Sequence, residues 1–76
     1  MVDAFVFVTL RSGADAQQVL KDIKKCDGVK NAFLTYGEYD AIVKVRVDDL
    51  GALKDTVFCI LGVDGVERTT TQIVVA

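Results

Sequence analysis

Asp27-Gly28-Val29 recurs 37 residues later as Asp64-Gly65-Val66, an offset close to half of the 76-residue chain. The same offset, without a gap, aligns further identical pairs, namely Asp3 with Asp40, Ala4 with Ala41, Val6 with Val43, Val8 with Val45, and Ile23 with Ile60. These matches fall at corresponding points of two strand–helix–strand units, which chance similarity between valine-rich segments would not arrange. The sequence therefore predicts a single domain built from two structurally repeated halves.

Each half reads as an apolar strand, an amphipathic helix, the repeated turn and a second strand. Alternating and β-branched residues predict strands at 4–10, 29–35, 41–47 and 66–75. Helical spacing of apolar residues predicts one helix within 14–25, capped by Ser12 or Asp15, and another after Asp48 or Asp49. The order βαββαβ predicts an α+β, ferredoxin-like fold, a four-stranded antiparallel sheet with two helices on one face.

The first predicted strand is apolar on both of its faces. The matched strand 41–47 assigns Val43 and Val45 to the helix side, which leaves Phe5, Phe7 and Ile42 on the face without helices. Contiguous exposed aromatic surface on a small protein is typical of a subunit interface. We therefore predict at least a dimer in which a partner covers these three side chains.

Composition excludes several classes of function. The chain has no histidine, so the commonest general base and metal ligand are missing, and it has no glycine loop that could hold phosphate. We expect no enzyme, no metal and no cofactor. A net charge of −2 without a basic stripe argues against direct nucleic-acid binding.

The apolar runs and the cysteines indicate the compartment. No apolar run is long enough to span a membrane, and the first residues lack the features of a secretory signal. These patterns predict a cytoplasmic protein without a membrane partner. Cys26 and Cys59 have no metal-like spacing, and in this context we expect buried, reduced thiols rather than a disulfide or a reactive thiol.

Two segments lie outside the repeat and contain the candidate binding residues. The first is the predicted hairpin formed by Thr35, Tyr36, Gly37, Glu38, Tyr39 and Asp40. It reads either as an ordinary tight turn or as a small-ligand site, since glycine admits a ligand to the backbone and tyrosines supply amphipathic walls. The second is Thr69–Gln72 in the last strand, which is either a soluble edge or a set of hydroxyls for a polar ligand.

The order of these motifs resembles a known family, the effector-binding (RAM) domain of the leucine-responsive regulator/AsnC (Lrp/AsnC) transcription regulators. The resemblance rests on the DGV turn, on TYGEYDAIVKV at 35–45 with its G-x-Y-D core, on a capped helix, on a second GV turn and on T-x-T-x-I-V-V at 69–75. It covers nearly the whole chain. Asp27 and Asp64 depart from it, because many relatives have proline there, and this affects turn rigidity.

The resemblance implies a fold of the dimeric α+β barrel type and an effector that is a free amino acid held between dimers. Carried over by motif, the ligand-binding residues are Tyr36, Gly37, Glu38, Tyr39 and Asp40 of the hairpin, with Thr69 and Thr71 of a neighbour. The implied assembly is a homo-oligomer, a dimer or an octamer of four dimers. Only three residues precede the first strand, so we expect residues 1–76 to form a stand-alone effector domain without a DNA-binding domain, able to assemble with full-length regulators.

Two other functions remain open from the sequence. The chain could be a purely structural oligomerisation protein whose pocket binds nothing. It could also be a small enzyme of the dimeric α+β barrel type, in which case Tyr36, Tyr39, Glu38 and Asp40 would have to supply the acid and the base. An amino-acid-binding module is the function that the motifs favour.

Overall fold

The computed structural model describes residues 1–76 and contains the predicted elements in the predicted order. They are β1 (Val2–Leu10), α1 (Ala16–Lys24), β2 (Val29–Leu34), β3 (Ala41–Val47), α2 (Leu50–Leu61) and β4 (Val66–Ile73). The strands form one sheet in the order β2-β3-β1-β4, and every neighbouring pair is antiparallel. The ferredoxin-like prediction is confirmed. Neither helix has the length and apolarity that crossing a bilayer requires.

Aspartate side chains cap both helices. Asp15 accepts a hydrogen bond from the Gln18 N–H at 3.2 Å, and Asp49 accepts one from the Ala52 N–H at 2.8 Å. Each carboxylate satisfies a main-chain donor that the first helical turn leaves without a partner. The structure thus selects Asp15 over Ser12 and Asp49 over Asp48 from the predicted alternatives.

The last strand is shorter than the predicted 66–75. β4 is an edge strand that pairs only with β1, and its ladder ends where Ile73 lies opposite Ala4. One further hydrogen bond, from the Val74 N–H to the Asp3 carbonyl at 2.8 Å, holds the chain beyond that point. β-Branched composition predicted a longer strand, but the ladder with β1 ends at the Ala4–Ile73 pair, before it reaches Val2 at the start of β1.

The hydrophobic core lies between the helices and one face of the sheet, as the strand matching predicted. Its buried members are Ala4, Val6, Val8, Val19, Ile23, Cys26, Ala32, Ala41, Val43, Val45, Leu53 and Ile60. The central strands supply inward side chains in register, since Val6 lies directly opposite Val43. The other face of the sheet, called the open face below, carries no helix.

The repeated DGV turns are explained by close packing between the two halves. Gly28 has a φ of 92° and Gly65 a φ of 100°, both in the left-handed region that favours glycine. A Cβ on Gly28 would lie 2.6 Å from Cγ1 of Val47, and one on Gly65 would lie 2.6 Å from Cγ2 of Val19. Each turn therefore needs glycine both for its backbone conformation and for the approach of the other half.

The expectation of two reduced cysteines is wrong. Cys26 and Cys59 form a disulfide, with Cα atoms 5.9 Å apart and a sequence separation of 33. Cys26 follows the end of α1 and is 4% exposed, whereas Cys59 lies in the last turn of α2 and is exposed. Packing of both helices on one side of the sheet brings the two sulfur atoms together, which their spacing in the sequence does not reveal.

Candidate functional site

The β2–β3 hairpin is closed by hydrogen bonds at its base. The Thr35 N–H donates to the Asp40 carbonyl at 2.9 Å, and the Thr35 hydroxyl donates to the Tyr39 carbonyl at 2.8 Å. Gly37 lies at the tip with a φ of 134°, and nothing lies within 4 Å of the position that a Cβ would occupy. The tip therefore projects into solvent with its main chain accessible.

Asp40 ties this hairpin to the end of β1. Its Oδ2 accepts a hydrogen bond from the Leu10 N–H at 2.7 Å, and its own N–H donates to the Val8 carbonyl at 2.9 Å. Oδ1 of Asp40 accepts no hydrogen bond from the protein, so the carboxylate anchors the turn with one oxygen while the other has no protein partner. Glu38 is exposed at the tip.

The two tyrosines of the hairpin serve different surfaces. Tyr39 packs on Phe7, with ring centroids 5.1 Å apart at an interplanar angle of 36°, and so lies on the open face. Tyr36 is fully exposed. Its ring forms a wall of a cleft of about 400 Å³ whose other lining residues are Ala16, Leu34, Thr35 and Asp40.

This hairpin cleft combines apolar and polar groups in a way suited to a small amphipathic ligand. Its size falls within the range of roughly 300–1,000 Å³ that is typical of small-molecule sites. Leu34 and Ala16 provide apolar surface, and Thr35 and Asp40 provide a hydroxyl and a carboxylate. The cleft is also open along one side. A ligand held there would stay partly solvated unless a second subunit closed the site.

Thr69 and Thr71 lie on the opposite edge of the same sheet. They are half-buried on the helix side of β4, directly opposite Val8 and Val6 of β1. Two strands, β1 and β3, separate β4 from the strand that leads into the hairpin. Within one chain, then, the structure brings Tyr36 and Asp40 together in the cleft, but it does not bring the threonines to them.

The open face is more apolar than the sequence analysis indicated. Phe5 is 37% exposed, and Phe7 and Ile42 are half-buried, as expected for side chains on this face. Phe33 also lies here, opposite Ile42 in the β2–β3 ladder, with 58% of its surface exposed. The sequence could have revealed this position of Phe33. Side chains alternate along a strand, and because Ala32 faces the core, its neighbour Phe33 must face the other side of the sheet.

One ion pair crosses the open face at the start of β1. The Asp3 carboxylate accepts a hydrogen bond from Nε of Arg46 at 2.6 Å, and the two residues are directly opposite in the β1–β3 ladder. This hydrogen bond to the guanidinium lowers the pKa of Asp3 below its ordinary value of 3.8 and raises the pKa of Arg46. Both side chains of the pair are therefore charged near neutral pH.

A depressed pKa predicts a stability contribution that is lost in acid. Because folding lowers the pKa of Asp3, the contribution is present above the unfolded value of 3.8 and disappears as the pH falls through the folded value. Urea unfolding of the parent and of Asp3→Asn should give a difference in unfolding free energy near pH 7 that vanishes at the lowest pH. A difference that stayed constant with pH would contradict this assignment.

The titratable groups of the chain do not form a metal centre. No cluster of three or more histidine, cysteine, aspartate or glutamate side chains is arranged to hold a metal ion. The carboxylate in the hairpin cleft already accepts a main-chain hydrogen bond from Leu10. The arrangement is suited to hydrogen bonding and apolar contact with a ligand.

The fold is ferredoxin-like, and comparison with known proteins specifies the kind of domain. The family model of the Lrp/AsnC ligand-binding domain matches residues 3–76. The chain belongs to this family, which comprises ligand-binding domains of transcription regulators and is not an enzyme family. The resemblance stated from the motifs is confirmed.

Individual relatives agree with the family match. The HTH-type transcriptional regulator FL11 of Pyrococcus abyssi (strain GE5 / Orsay) is 31% identical over 71 residues, which cover 93% of this chain and 46% of that regulator. The chain thus spans about half the length of this relative. The crystal structure of TTHA0845 from Thermus thermophilus superposes with a TM-score of 0.91 at 34% identity, covering 100% of this chain and 95% of that one.

A third relative was solved with a ligand. The transcriptional regulator NMB0573 from Neisseria meningitidis, in complex with L-Met, is 25% identical and superposes with a TM-score of 0.86. The match covers 99% of this chain and 50% of that regulator. The fold described here is therefore shared with a regulator that binds a free amino acid.

Proposed function

We propose that this chain is a stand-alone effector-binding and oligomerisation module that binds a free amino acid at the β2–β3 hairpin. The observation that carries the proposal is the cleft beside Tyr36 and Asp40 in a domain of the Lrp/AsnC ligand-binding family. The L-Met complex of the Neisseria regulator supports an amino acid as the class of effector. The length of the Thermus chain, of which 95% is covered, supports a module without an attached DNA-binding half.

The chemistry of a free amino acid fits the groups at the hairpin. An amino acid carries an ammonium and a carboxylate on one carbon atom, so its site needs anionic acceptors and N–H donors close together. Asp40 offers the oxygen that has no protein partner, and Glu38 adds a second carboxylate at the tip. The open backbone at Gly37 supplies amide groups for the ligand carboxylate, and Leu34 and Tyr36 contact its side chain.

A second subunit completes the proposed site. The hairpin cleft of one dimer is closed by the last strand of another, where Thr69 or Thr71 adds a hydroxyl hydrogen bond. Exclusion of water by this contact strengthens every polar interaction inside the cleft. Because the ligand then touches two dimers, binding favours the larger assembly in which both halves of the site exist.

The assembly itself is proposed to be a homo-oligomer whose dimers form through the open face. The apolar side chains Phe5, Phe7 and Ile42 are the contact residues, joined by Phe33. An octamer of four dimers is the larger state. Mixed assembly with full-length regulators of the family would let a cytoplasmic module without DNA-binding or catalytic activity modulate transcription.

A thermal-shift screen against the free amino acids, beginning with L-methionine, tests the proposed function. A ligand at 100 times its dissociation constant stabilises the folded state by about 2.7 kcal/mol, which raises the melting temperature by about 10 °C or more in so small a domain. We expect at least one amino acid to do so. Absence of a shift with every amino acid at millimolar concentration would instead favour a purely structural oligomerisation protein.

Replacing Gly37 by valine should abolish this binding without unfolding the domain. The φ of 134° resists a β-branched residue, and a branched side chain at the tip blocks access to the backbone amides. Gly13→Val is the matched control, because Gly13 also has a positive φ, 82°, with nothing within 4 Å, but lies in the β1–α1 loop. Calorimetry should detect binding in the control and none in Gly37→Val. Equal affinity in both variants would remove the hairpin from the site.

A further inference from the structure

The Cys26–Cys59 disulfide borders a second cleft of about 350 Å³, at the opposite end of β2 and β3 from the hairpin. Cys59 lines this cleft together with Asp27, Gly28, Val47, Ala52, Asp55 and Thr56. Cys26 is not part of the lining and is 4% exposed. Of the two bonded residues, Cys59 is therefore exposed and lines the cleft, whereas Cys26 is enclosed by the core.

We propose that this disulfide is a thiol-exchange site, which small neutral or cationic thiols open by attack on Cys59. Disulfides in intracellular proteins are mostly transient or redox-sensing rather than permanent, and such roles need an accessible sulfur. The bond joins the end of α1 to the last turn of α2, so its state determines whether the two halves are covalently linked through their helices.

The exchange proceeds in two balanced steps. A thiolate from solution attacks Sγ of Cys59, a bond forms between the two sulfur atoms, and the Cys26–Cys59 bond breaks. Cys26 leaves as a thiolate and takes a proton. A second thiolate then attacks the added sulfur, which releases the oxidised thiol pair and leaves Cys59 as a thiolate that also takes a proton. In the absence of a second thiol, Cys26 attacks Cys59 again and expels the first.

The charges around the cleft select the attacking thiol. Asp55 lies one helical turn before Cys59, at the spacing that places side chains on the same helix face, and Asp27 is the residue after Cys26. Both carboxylates line the cleft. No lysine or arginine lines the cleft, since Lys25 forms an ion pair with Asp22 at 3.6 Å and Lys54 has its Nζ 5.5 Å from the centroid of the Phe58 ring. An approaching anion therefore meets two negative charges without a compensating positive one.

Rates of opening by three thiols measure this selection on the unmodified protein. In the order cysteamine, 2-mercaptoethanol and 2-mercaptoethanesulfonate, the net charge of the thiolate form becomes more negative by one unit at each step. Each rate, taken at equal thiolate concentration and low ionic strength, is divided by the rate of the same thiol on 2-hydroxyethyl disulfide. A carboxylate about 6 Å away in water changes the rate of encounter about threefold for each unit of charge on the thiolate. Two carboxylates therefore predict normalised rates that differ about tenfold between successive thiols.

Charge variants provide the matched control for the rate series. The double variant Asp27→Asn with Asp55→Asn should reduce the tenfold steps to about onefold, whereas Asp64→Asn, at the repeat counterpart of Asp27, should leave them unchanged. Equal normalised rates for all three thiols in the parent would overturn the proposal. A rate independent of thiol concentration would also overturn it, because the bond would then open only after the protein unfolds.

Single-cysteine variants identify the attacked sulfur. In folded Cys26→Ala, Cys59 should form a mixed disulfide with cystamine that mass spectrometry detects. In folded Cys59→Ala, Cys26 should react at least a hundredfold more slowly, because it is buried. Similar reactivity of the two cysteines would contradict attack on Cys59, and the rate series on the parent decides the outcome if either variant fails to fold.

Discussion

Replacing Phe7 by aspartate is expected to separate the proposed dimer into monomers. Phe7 lies at the centre of the open face and packs on Tyr39. Phe7 is already half-buried in the single chain, so association buries only the rest of its ring, and the main effect of the variant is to place an unpaired carboxylate in an apolar contact. A two-fold interface contains this carboxylate twice, and a cost of about 1–3 kcal/mol for each weakens association by at least about thirtyfold. Analytical ultracentrifugation of the parent and the variant measures this directly.

Two further variants separate loss of the interface from loss of the fold. Phe5→Asp, at a position 37% exposed in the single chain, should also give monomers while retaining the circular dichroism of the parent. Gln17→Asp adds the same charge on the exposed side of α1 and should leave the assembly unchanged. If Phe7→Asp and Phe5→Asp kept the parent's mass and stability, the subunit interface would lie on another surface.

Replacing Gly65 by alanine is expected to destabilise the fold by about 2–5 kcal/mol. A residue with a Cβ at a φ of 100° costs about 1–2 kcal/mol in backbone strain. Its Cβ would also lie 2.6 Å from Cγ2 of buried Val19 and 3.2 Å from Cβ of Ala14, and overpacking of this kind costs about 1–3 kcal/mol. Urea unfolding followed by circular dichroism measures the loss.

Two other glycines with a positive φ, one in close contact with its neighbours and one without contacts, make this prediction specific. Gly28→Ala should lose a similar amount, because its Cβ would lie 2.6 Å from Val47 and 2.8 Å from the Thr56 hydroxyl. Gly13→Ala should lose only the backbone part, about 1–2 kcal/mol, because its Cβ would meet nothing within 4 Å. Equal losses at all three positions would refute the packing explanation of the repeat.

The fold followed from the sequence because its determinants are local and occur twice. The spacing of Val6 and Val8, matched by Val43 and Val45, identified the buried face of the sheet, and the structure places all four in the core. The DGV repeat marked both turns, and positive φ at Gly28 and Gly65 explains why glycine recurs there. The alternation of the strands and the glycine of each turn can be recognised within one strand–helix–strand unit, although the packing that requires glycine comes from the other unit.

The features that the sequence did not predict depend on contacts between distant segments. The disulfide needs the end of α1 beside the last turn of α2, across 33 residues, and cysteine spacing carries no information about that distance. The anchoring of Asp40 to the Leu10 N–H is likewise a contact between strands. Motif order singled out the hairpin residues, but the cleft also uses Ala16 and Leu34, which come from α1 and β2.

The candidate site stays a prediction for the same physical reason. Its hairpin half exists in one chain, with Tyr36 and Asp40 facing one cleft. The proposed other half, Thr69 and Thr71, lies on the far edge of the sheet from that cleft, so it would have to come from another subunit. Sequence patterns describe a single chain, so a site formed between chains is determined by the assembly.

Sedimentation velocity with and without the amino acid that gives the largest thermal shift tests the central claim most directly. The account predicts that the ligand moves the protein from dimers toward a larger assembly, since each bound molecule touches a hairpin of one dimer and β4 of another. Gly37→Val should stay dimeric at every ligand concentration. Sedimentation of the parent unaffected by every amino acid at millimolar concentration would contradict the account.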